Sequence, residues 1–338
     1  MIKSEIIKLI KPFKIEFENV ELDKLQLKKG EILCKTIYSA ISPGTEVSAY
    51  CGHPPLKPGI TYPRLVGYCN VAEVIETGPG KSVYEIGQKI YTFTSHRSHF
   101  ITNEKDVLSV LPKNISSLEA SCAYLFHLGY NAVLNTNVRY GSNVLVIGLG
   151  AIGLASIQMA SNAGANVYAL SDQSNSKSIA EKYGAIQVFQ RKKINTLIKN
   201  DRNQFFDSVI LTSSSWKDWL ISLKLAAVRS QIGVLGFPGR NSPIPDFNPL
   251  DSQYFYSKQL SLKAVGLSPE INDSRNNLMF NERDNMKFIL SEIESGSINP
   301  NHIISEVVHY KKVESAYQNL INRNEKFSPI TYVLKWKK

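Results

Sequence analysis

The stretch from Val144 to Gly153, VLVIGLGAIG, constrains the fold of this chain more than any other feature of its sequence. An apolar run that is typical of a buried strand is followed at once by three glycines and a segment of helical character. In such a turn Gly148 permits the sharp change of direction, Gly150 lets the backbone approach a phosphate, and Gly153 lets the helix pack closely on the strand. The N-terminus of the helix adds unpaired N–H groups and a positive dipole, which attract anions.

The same turn lies within a strand–helix–strand unit, because NVYALS follows the helix as a second apolar strand. In that context a GxGxxG pattern is a specific motif, and it predicts a site for the pyrophosphate of a dinucleotide. Ile152, inside the turn, is counted among the residues of that site. A tight strand-to-helix turn that holds no ligand is the alternative interpretation.

The residues at the end of the second strand determine whether NAD(H) or NADP(H) is the preferred dinucleotide. An acidic residue at this place holds the adenosine ribose hydroxyls of NAD, and counting along the chain puts Ser171 there, with Asp172 one position later. A serine leaves room for a 2′-phosphate, and Lys177 is a candidate ligand for it or an exposed lysine at a helix start. Asp172 would instead bind the ribose of NAD, or repel the phosphate. The sequence therefore favours NADP(H) over NAD(H) and leaves NAD(H) open.

Two further loops follow apolar strands in the same part of the chain. Thr212 and Ser213 come directly after FDSVIL, and Gly236 comes after QIGVL. Ligands of open parallel sheets bind at the carboxyl ends of the strands, so these three residues are predicted to contact the dinucleotide. Each loop, taken alone, is also compatible with an ordinary connection.

The pattern of strands and helices predicts two domains. From residue 120 to residue 268 continuous apolar strands alternate with helices, which predicts an α/β fold with a doubly wound parallel sheet covered on both faces. Before it, short β-rich runs separated by turn signals such as SPGT and TGPG predict a small barrel or sandwich. After it, the order strand–helix–strand resembles the first part. We therefore predict one domain from 1–119 and 269–338, and an inserted domain from 120–268.

Two helices can be placed from their local sequence. Ser116 or Ser117, with Glu119 in the first turn, is suited to cap a helix that runs through ASCAYLFHLGYNAVLN and connects the two parts of the chain. His127, within this helix, is expected to be a core residue. WKDWLISLKLAAVR, between two predicted strands of the sheet, is predicted as another helix.

Composition narrows the class of partner. The net charge is +10, but the 39 Lys and Arg residues are spread along the chain, which favours a solvated basic surface or attraction for an anionic small molecule over nucleic-acid binding. The four cysteines form no CxxC pair, so neither a disulfide framework nor a four-thiolate zinc lobe is predicted. No uninterrupted apolar stretch is long enough to span a membrane, and the N-terminus lacks an apolar signal segment. We expect a cytoplasmic protein that acts on a small molecule, with no membrane or nucleic-acid partner.

Three segments of the first part, together with the glycine turn, resemble a known family. They are SPGTEVSAYCG, LVGYCNVAEVIETGPG and EIGQKIYTF. With its order of β domain, connecting helix, glycine turn and short return to the β domain, the chain resembles the medium-chain dehydrogenase/reductase superfamily over nearly its whole length. The resemblance implies a GroES-like β-barrel catalytic domain with an inserted Rossmann domain, a cleft between the two, NADP(H) or NAD(H) as cofactor, and a homodimer.

In the zinc alcohol dehydrogenases of this superfamily, zinc ligands stand within these segments. Laid on that pattern, the cysteine ligand falls on Pro43, the histidine on Tyr68 and the adjacent glutamate on Cys69. A later ligand falls near Tyr124. Proline has no donor atom and tyrosine is an uncommon zinc ligand. The resemblance therefore implies a member without zinc, similar to relatives with a Ser-x-Gly-Thr-Glu motif, which include bacteriochlorophyllide dehydrogenase-like and sugar-pathway proteins.

Without a metal, hydrogen-bond donors have to stabilise the negative charge that hydride transfer builds on a carbonyl oxygen. Thr45 matches the family's relay threonine, and Ser48 stands where its relay histidine would be. Tyr68 is the candidate acid, since a tyrosine with its usual pKa of about 10 is a donor at neutral pH; filling of the vacated zinc space is the alternative. His96 is expected at the rim of the cleft as a proton carrier, or as an ordinary loop histidine. Glu46 is expected to orient a neighbouring basic residue.

These residues together predict a zinc-independent, NAD(P)-dependent oxidoreductase. It would interconvert a carbonyl and a secondary alcohol on a polar small molecule such as a sugar, a cyclitol or another specialised metabolite. An enoyl or quinone reductase of the same superfamily is one alternative, because such relatives also lack zinc. A dinucleotide-binding protein without turnover is another.

Overall fold

The computed structural model describes residues 1–53, 61–194, 205–266, 268, 281–324 and 327–336. Contacts within the chain divide it into two compact units. Unit 1 comprises Met1–Tyr124, Glu282–Asn322 and Pro329–Lys338, and unit 2 comprises Leu125–Asn281 and Arg323–Ser328. The predicted domain boundaries stay a prediction, and residue 269, at one of them, lies outside the described residues.

Strands and α-helices in the described residues are numbered in chain order. The strands are β1 Ile2–Lys11, β2 Lys14–Leu22, β3 Glu31–Ala40, β4 Arg64–Leu65, β5 Cys69–Thr77, β6 Lys89–Thr92, β7 His99–Asn103, β8 Val107–Val110, β9 Asn143–Ile147, β10 Asn166–Leu170, β11 Ala185–Phe189, β12 Phe206–Leu211, β13 Ala226–Val234, β14 Ser261–Ala264, β15 Ile304–His309 and β16 Thr331–Lys335. The helices are α1 Pro43–Cys51, α2 Ser117–Ala120, α3 Ala123–Asn135, α4 Ala151–Asn162, α5 Ser174–Lys182, α6 Trp216–Leu225, α7 Glu282–Glu294 and α8 Val313–Ile321.

Unit 2 contains a six-stranded sheet in the order β11-β10-β9-β12-β13-β14, and every neighbouring pair is parallel. Residues 144–147 of β9 are fully buried, as a parallel strand covered on both faces requires. The strand order runs outward from β9 in both directions, so the topology reverses beside β9. Ligands of such sheets bind at the carboxyl ends of the strands next to this reversal, which is where the glycine turn begins.

In unit 1, β3 is the central strand of a seven-stranded sheet. It pairs antiparallel with β5 and β7, and also with β16 from the last part of the chain. Residues 331–334 of β16 are buried. A second sheet has the order β2-β1-β4. The last described strand thus completes a sheet that the N-terminal part of the chain begins.

Two predicted helices differ from the structure in their extent. The connecting helix is interrupted at Ser121 and Cys122, which separate α2 from α3, and Ser116 occupies the N-cap position without a side-chain cap bond. α6 ends at Leu225, because the next residues begin β13, which pairs with β12. Pairing within the sheet outweighs the helix propensity of the two alanines there.

Candidate functional site

The glycine turn between β9 and α4 has the geometry that phosphate binding requires. Gly148 has a φ of +92°, in the left-handed region that favours glycine. A Cβ at Gly153 would lie 1.9 Å from the carbonyl oxygen of Gly148, so only glycine lets the helix approach this closely. A Cβ at Gly150 would meet nothing within 4 Å. The space before the N-terminus of α4 is therefore open, and the residues present fit the pyrophosphate of a dinucleotide.

Ile152 lies in the first turn of α4, beside this open space. Its side chain is partly buried, and its carbonyl oxygen accepts a hydrogen bond from Oγ of Ser156 at 2.8 Å. The N–H groups of this first turn have no partner within the helix, as in every α-helix. Ile152 thus lies at the end of α4 where a phosphate is predicted to bind, and its role in binding stays a prediction.

The loops after β12 and β13 lie against the glycine turn. Oγ1 of Thr212 donates a hydrogen bond to the carbonyl oxygen of Gly148 at 2.7 Å, and a Cβ at Gly148 would lie 3.1 Å from the backbone nitrogen of Ser213. A Cβ at Gly236 would lie 2.2 Å from the carbonyl oxygen of Ser213. The structure therefore brings these four predicted residues together at the carboxyl ends of the strands. The hydroxyl hydrogen of Thr212 is donated to Gly148, so it is not available to a ligand. We therefore assign Thr212 to positioning the glycine turn.

The residues after β10 line one cavity of about 420 Å³. Ser171, Asp172 and Lys177 all contribute to it. Ser171 is buried, whereas the side chain of Asp172 is 51% exposed and accepts a hydrogen bond from Nη1 of Arg191 at 3.0 Å. Lys177 is exposed on α5, where its Nζ lies 3.7 Å from Oε1 of Glu181. The predicted cofactor residues of this strand end thus share one space, and Asp172 has a partner that the sequence analysis did not identify.

The hydroxyl of Tyr68 lies among other hydroxyls at the start of α1. It donates to Oγ of Ser42, the residue before α1, and the hydroxyl of Thr45 lies beside it. The Tyr68 ring packs edge-on against Tyr124, with ring centroids 5.8 Å apart. Burial raises the pKa of Tyr68 above its usual value, although the hydrogen bonds with Ser42 and Thr45 act in the opposite direction. Tyr68 is therefore a neutral donor at neutral pH, next to the predicted relay residue Thr45.

Glu46, on α1, is a buried carboxylate that accepts three hydrogen bonds. Its Oε1 accepts from the backbone nitrogen of Ser42 at 2.6 Å. Its Oε2 accepts from Nε2 of His96 at 2.8 Å and from the hydroxyl of Tyr317 at 2.7 Å. The side chain is 2% exposed, so these donors replace the water that it has lost. The basic residue that Glu46 was expected to orient is His96.

The structure places His96 inside unit 1 rather than at an exposed rim, and its ring is fully buried. The ring fits there because Gly67 has no side chain: a Cβ would lie 2.6 Å from it. Nδ1 of His96 lies 2.8 Å from Oγ of Ser39, which also accepts a hydrogen bond from Nε1 of Trp336 at 2.8 Å. An indole nitrogen can only donate, so the Ser39 hydrogen is available for Nδ1. This assigns the hydrogen on Nε2 of His96 to the bond with Glu46.

Ser39, His96 and Glu46 have the residue types of a hydrolytic triad but not its accessibility. All three side chains are 2% exposed or less. A nucleophile has to reach a substrate, and this serine is enclosed by protein. The network therefore positions α1 and the residues next to Tyr68.

Ser48 lies one turn after Gly44 on α1. Its Oγ donates to the carbonyl oxygen of Gly44 at 2.7 Å, a bond that serine often makes within its own helix. The side chain is partly exposed. The relay role predicted for Ser48 stays a prediction.

Several residues of these networks were not singled out by sequence reasoning. For Arg191 a signal was present, since a basic RKK cluster begins two residues after the strand AIQVF. For Tyr317 there was none, because 271 positions separate it from Glu46. The others are Ser39, Ser42 and Trp336.

The residues at the positions that align with zinc ligands do not fit a zinc ion. Pro43 offers no donor atom, and tyrosine is an uncommon zinc ligand whose ionised form is disfavoured here because burial raises the pKa of Tyr68. Burial raises the pKa of the Cys69 thiol well above its usual value, which disfavours the thiolate that binds zinc. Over the described ranges, no three His, Cys, Asp or Glu side chains are grouped so that they could hold a metal ion.

Comparisons with known proteins agree with this architecture. A family model described as zinc-binding dehydrogenase matches residues 151–280. The chain is 26% identical to NADP-dependent isopropanol dehydrogenase of Entamoeba histolytica over 151 residues, 43% of this chain and 41% of that enzyme, so this match spans less than half of the relative's length. It is 24% identical to quinone oxidoreductase of Rattus norvegicus over 352 residues, 97% of this chain and 98% of that one.

A solved structure shows the same fold. The structure of 2R,3R-butanediol dehydrogenase from Bacillus subtilis matches with a TM-score of 0.80 at 16% identity, over 98% of this chain and 99% of that one. The predicted fold class, a GroES-like domain with an inserted Rossmann doubly wound parallel-sheet domain, is confirmed.

Proposed function

We propose that this chain, which belongs to the medium-chain dehydrogenase/reductase superfamily, is a zinc-independent NAD(P)-dependent oxidoreductase. It interconverts a carbonyl and a secondary alcohol on a polar small molecule, such as a sugar, a cyclitol or another specialised metabolite. The observation that carries the proposal is the open space over Gly150 at the N-terminus of α4, beside the reversal of strand order. A nicotinamide dinucleotide bound there supplies the hydride.

Tyr68 is the proposed proton donor. Reduction of a carbonyl leaves negative charge on its oxygen, and a neutral hydroxyl stabilises that charge by donating its hydrogen. The raised pKa of Tyr68 keeps it protonated, and the hydroxyls of Ser42 and Thr45 beside it would hydrogen-bond to the phenolate after transfer. His96 acts on this site through Glu46, as a positioning residue.

For the cofactor we propose NADP(H) in preference to NAD(H). Ser171 carries no charge that would repel a 2′-phosphate, and Lys177 lines the same cavity. A relative whose name includes NADP dependence supports this choice. The 2′-phosphate is the group that distinguishes the two dinucleotides, so the residues after β10 decide between them.

The proposal is tested with the purified full chain. NADPH and NADH are offered with a panel of ketones, keto sugars, enones and quinones, and nicotinamide absorbance is followed before and after treatment with a chelator. We expect oxidation of NADPH with a carbonyl substrate, unchanged by chelation. Failure to bind either dinucleotide would refute the proposal, and stoichiometric zinc bound beside Tyr68 would refute its zinc independence.

Tyr68→Phe tests the proton donor. We expect kcat to fall roughly 100- to 10,000-fold, the usual contribution of a general acid, with unchanged affinity for NADPH. Tyr310→Phe is the matched control, because the Tyr310 hydroxyl bonds to Glu5 elsewhere in unit 1. Wild-type kcat in Tyr68→Phe would exclude Tyr68 as the donor.

A quinone or enoyl reductase is the second candidate function. The similarity to a quinone oxidoreductase over nearly the whole length of both chains favours it. Enones and quinones in the substrate panel distinguish it from a carbonyl reductase, because the hydride then goes to a different atom. Tight dinucleotide binding with no turnover of any substrate would instead favour a binding protein.

We further propose a homodimer, as the family resemblance implies, and a cytoplasmic location, for which four cysteines without a disulfide pattern are the support. In the part of the chain that the structure describes, none of the helices combines the length and the apolar character that crossing a membrane needs. Sedimentation at micromolar concentration tests the dimer, and cell fractionation tests the location.

A further inference from the structure

Arg191, two residues after β11, joins two carboxylates that lie far apart in the sequence. Its Nε and Nη2 donate to the two oxygens of Asp218 at 2.8 and 2.7 Å. Its backbone nitrogen and Nη1 donate to the two oxygens of Asp172 at 2.8 and 3.0 Å. Each carboxylate is therefore held at both oxygens by the same residue.

Asp218 fixes the position of the guanidinium. It lies in the first turn of α6, and its side chain is 1% exposed, so its charge needs a paired cation. The bidentate geometry suits the planar guanidinium and restricts its orientation. The hydrogen bonds with Asp218 are the largest cause of the raised pKa of Arg191, which therefore stays charged. With Nε and Nη2 bound to Asp218, Nη1 of Arg191 faces Asp172 and donates to it.

Asp172 stands next to the position from which an acidic residue selects between dinucleotides. A free carboxylate there binds the ribose hydroxyls of NAD and repels the 2′-phosphate of NADP. In this chain both oxygens of Asp172 already accept hydrogen bonds, and a positive charge lies 3.0 Å away. Asp172 is thus engaged before any ligand arrives.

The cavity that Asp172 lines also contains cations. Lys177 and Lys193 both contribute to its wall, together with the hydroxyl-bearing Ser171. Glu181, a second acid of the wall, lies 3.7 Å from Lys177. Each acid of this cavity therefore has a cation beside it, and the hydroxyl and ammonium groups of the wall are donors that can hydrogen-bond to a phosphate monoester.

We propose that Arg191 is a specificity-determining residue. By holding Asp172, it removes this carboxylate both as a ligand for the ribose hydroxyls and as a source of repulsion, and so makes the cavity selective for the 2′-phosphate of NADP. The inference rests on the proposed function, because it requires a dinucleotide bound at the glycine turn.

The experiment measures binding alone, by calorimetric titration of the full chain with NADP⁺ and with NAD⁺. Arg191→Gln is combined with Asp218→Asn, so that no buried carboxylate is left without its cation, and circular dichroism checks that the variant is folded. We expect the ratio of NADP⁺ to NAD⁺ affinity to fall at least about tenfold in this double variant. Addition of Asp172→Asn is expected to restore the ratio.

Asp172→Asn alone is the decisive control. Because Arg191 already engages this carboxylate, the single substitution is expected to change the affinity ratio by less than about threefold. Asp172→Asn is therefore expected to change the ratio of NADP⁺ to NAD⁺ affinity very little in the wild-type background and strongly in the Arg191→Gln/Asp218→Asn background. A purely structural role of Arg191 would not produce that dependence.

The outcomes separate the inference from the function on which it rests. Equal weakening of both dinucleotides in the double variant, or an unchanged ratio, would overturn the role of Arg191. A wild-type chain that binds NAD⁺ more tightly than NADP⁺ would overturn it too, while leaving the proposed oxidoreductase intact. Binding of neither dinucleotide to the wild type would overturn both.

Discussion

Replacement of His127 by glutamine is expected to remove about 3 kcal/mol of the pH dependence of folding stability between pH 7 and pH 4. His127 lies in α3, is fully buried, and has its Nε2 3.0 Å from Oγ of Ser268. Burial lowers the pKa of His127 from 6.5 to about 4. In the unfolded chain the imidazole binds a proton near pH 6.5, and in the folded chain only near pH 4.

The direction of the effect follows from the proton count. Between pH 6.5 and pH 4 the unfolded state binds more protons than the folded state, so acid favours unfolding and stability falls as the pH drops through this window. The interval from 6.5 to about 4, at about 1.36 kcal/mol for each pH unit, corresponds to about 3 kcal/mol. Above pH 6.5 the imidazole of His127 is neutral in both the folded and the unfolded state, so its burial does not lower the free energy of unfolding there.

Urea-induced unfolding at pH 7, 5.5 and 4 measures this prediction. Tryptophan emission is a suitable signal, because Trp216 and Trp219 lie in the same unit as His127. The gap in unfolding free energy between the wild type and His127→Gln should narrow by about 3 kcal/mol from pH 7 to pH 4. Ser268→Ala, which keeps the imidazole, should retain the wild-type pH dependence. Parallel curves for the wild type and His127→Gln, within about 0.5 kcal/mol, would refute the reasoning.

Four further variants test packing and the glycine turn. His96→Leu should lower the free energy of unfolding by about 1.5–3 kcal/mol, because the buried carboxylate of Glu46 loses one of its three hydrogen-bond donors; a loss below about 1 kcal/mol in urea unfolding would contradict this. Gly153→Ala should both destabilise the chain and weaken dinucleotide binding roughly tenfold or more, since its Cβ would enter the turn. Gly150→Ala, whose Cβ meets no protein atom, should weaken binding in the same titration with an unchanged melting temperature. Lys258→Met should cost about 2 kcal/mol in thermal unfolding, because its ammonium donates to three carbonyls at the end of α6, at 2.8, 2.9 and 3.1 Å; an unchanged Tm would exclude that role.

The features that sequence predicts well are those with a local signal. The apolar run before Gly148 predicts a buried parallel strand, because both faces of such a strand are covered by helices. The spacing of Gly148, Gly150 and Gly153 predicts a sharp turn, an open approach for a phosphate and the close approach of α4 to β9; a Cβ at Gly153 would lie 1.9 Å from the carbonyl oxygen of Gly148. Neither inference needs any residue from elsewhere in the chain.

The buried network in unit 1 was beyond sequence reasoning. Glu46 and His96 are 50 positions apart, and Tyr317 is 271 positions from Glu46. A histidine after a strand has the same local sequence whether it faces solvent or lies over Gly67, and only the fold decides. His96 was therefore predicted at the rim of the cleft or as an ordinary loop histidine, whereas its ring is fully buried.

Asp172 shows the same limit within unit 2. Its place one residue after the position of the acidic ribose ligand leaves two interpretations open, a ligand for the ribose of NAD or a source of repulsion towards the 2′-phosphate of NADP. The fold brings Arg191 from 19 positions away to both of its oxygens. The chemistry of an acidic residue at a strand end thus depends on a partner that the motif does not include.

The pairing of β16 with β3 also bears on how this protein is made. All strands of the unit 2 sheet lie between Asn143 and Ala264, so a growing chain releases that sheet complete from the ribosome while β15 and β16 are still to be translated. Until Thr331–Lys335 emerges, β3 has an open edge, and an open edge can pair with the wrong strand. The unit that begins first in the sequence is therefore the last to complete its sheet, and the edge of β3 stays open while the remainder is translated.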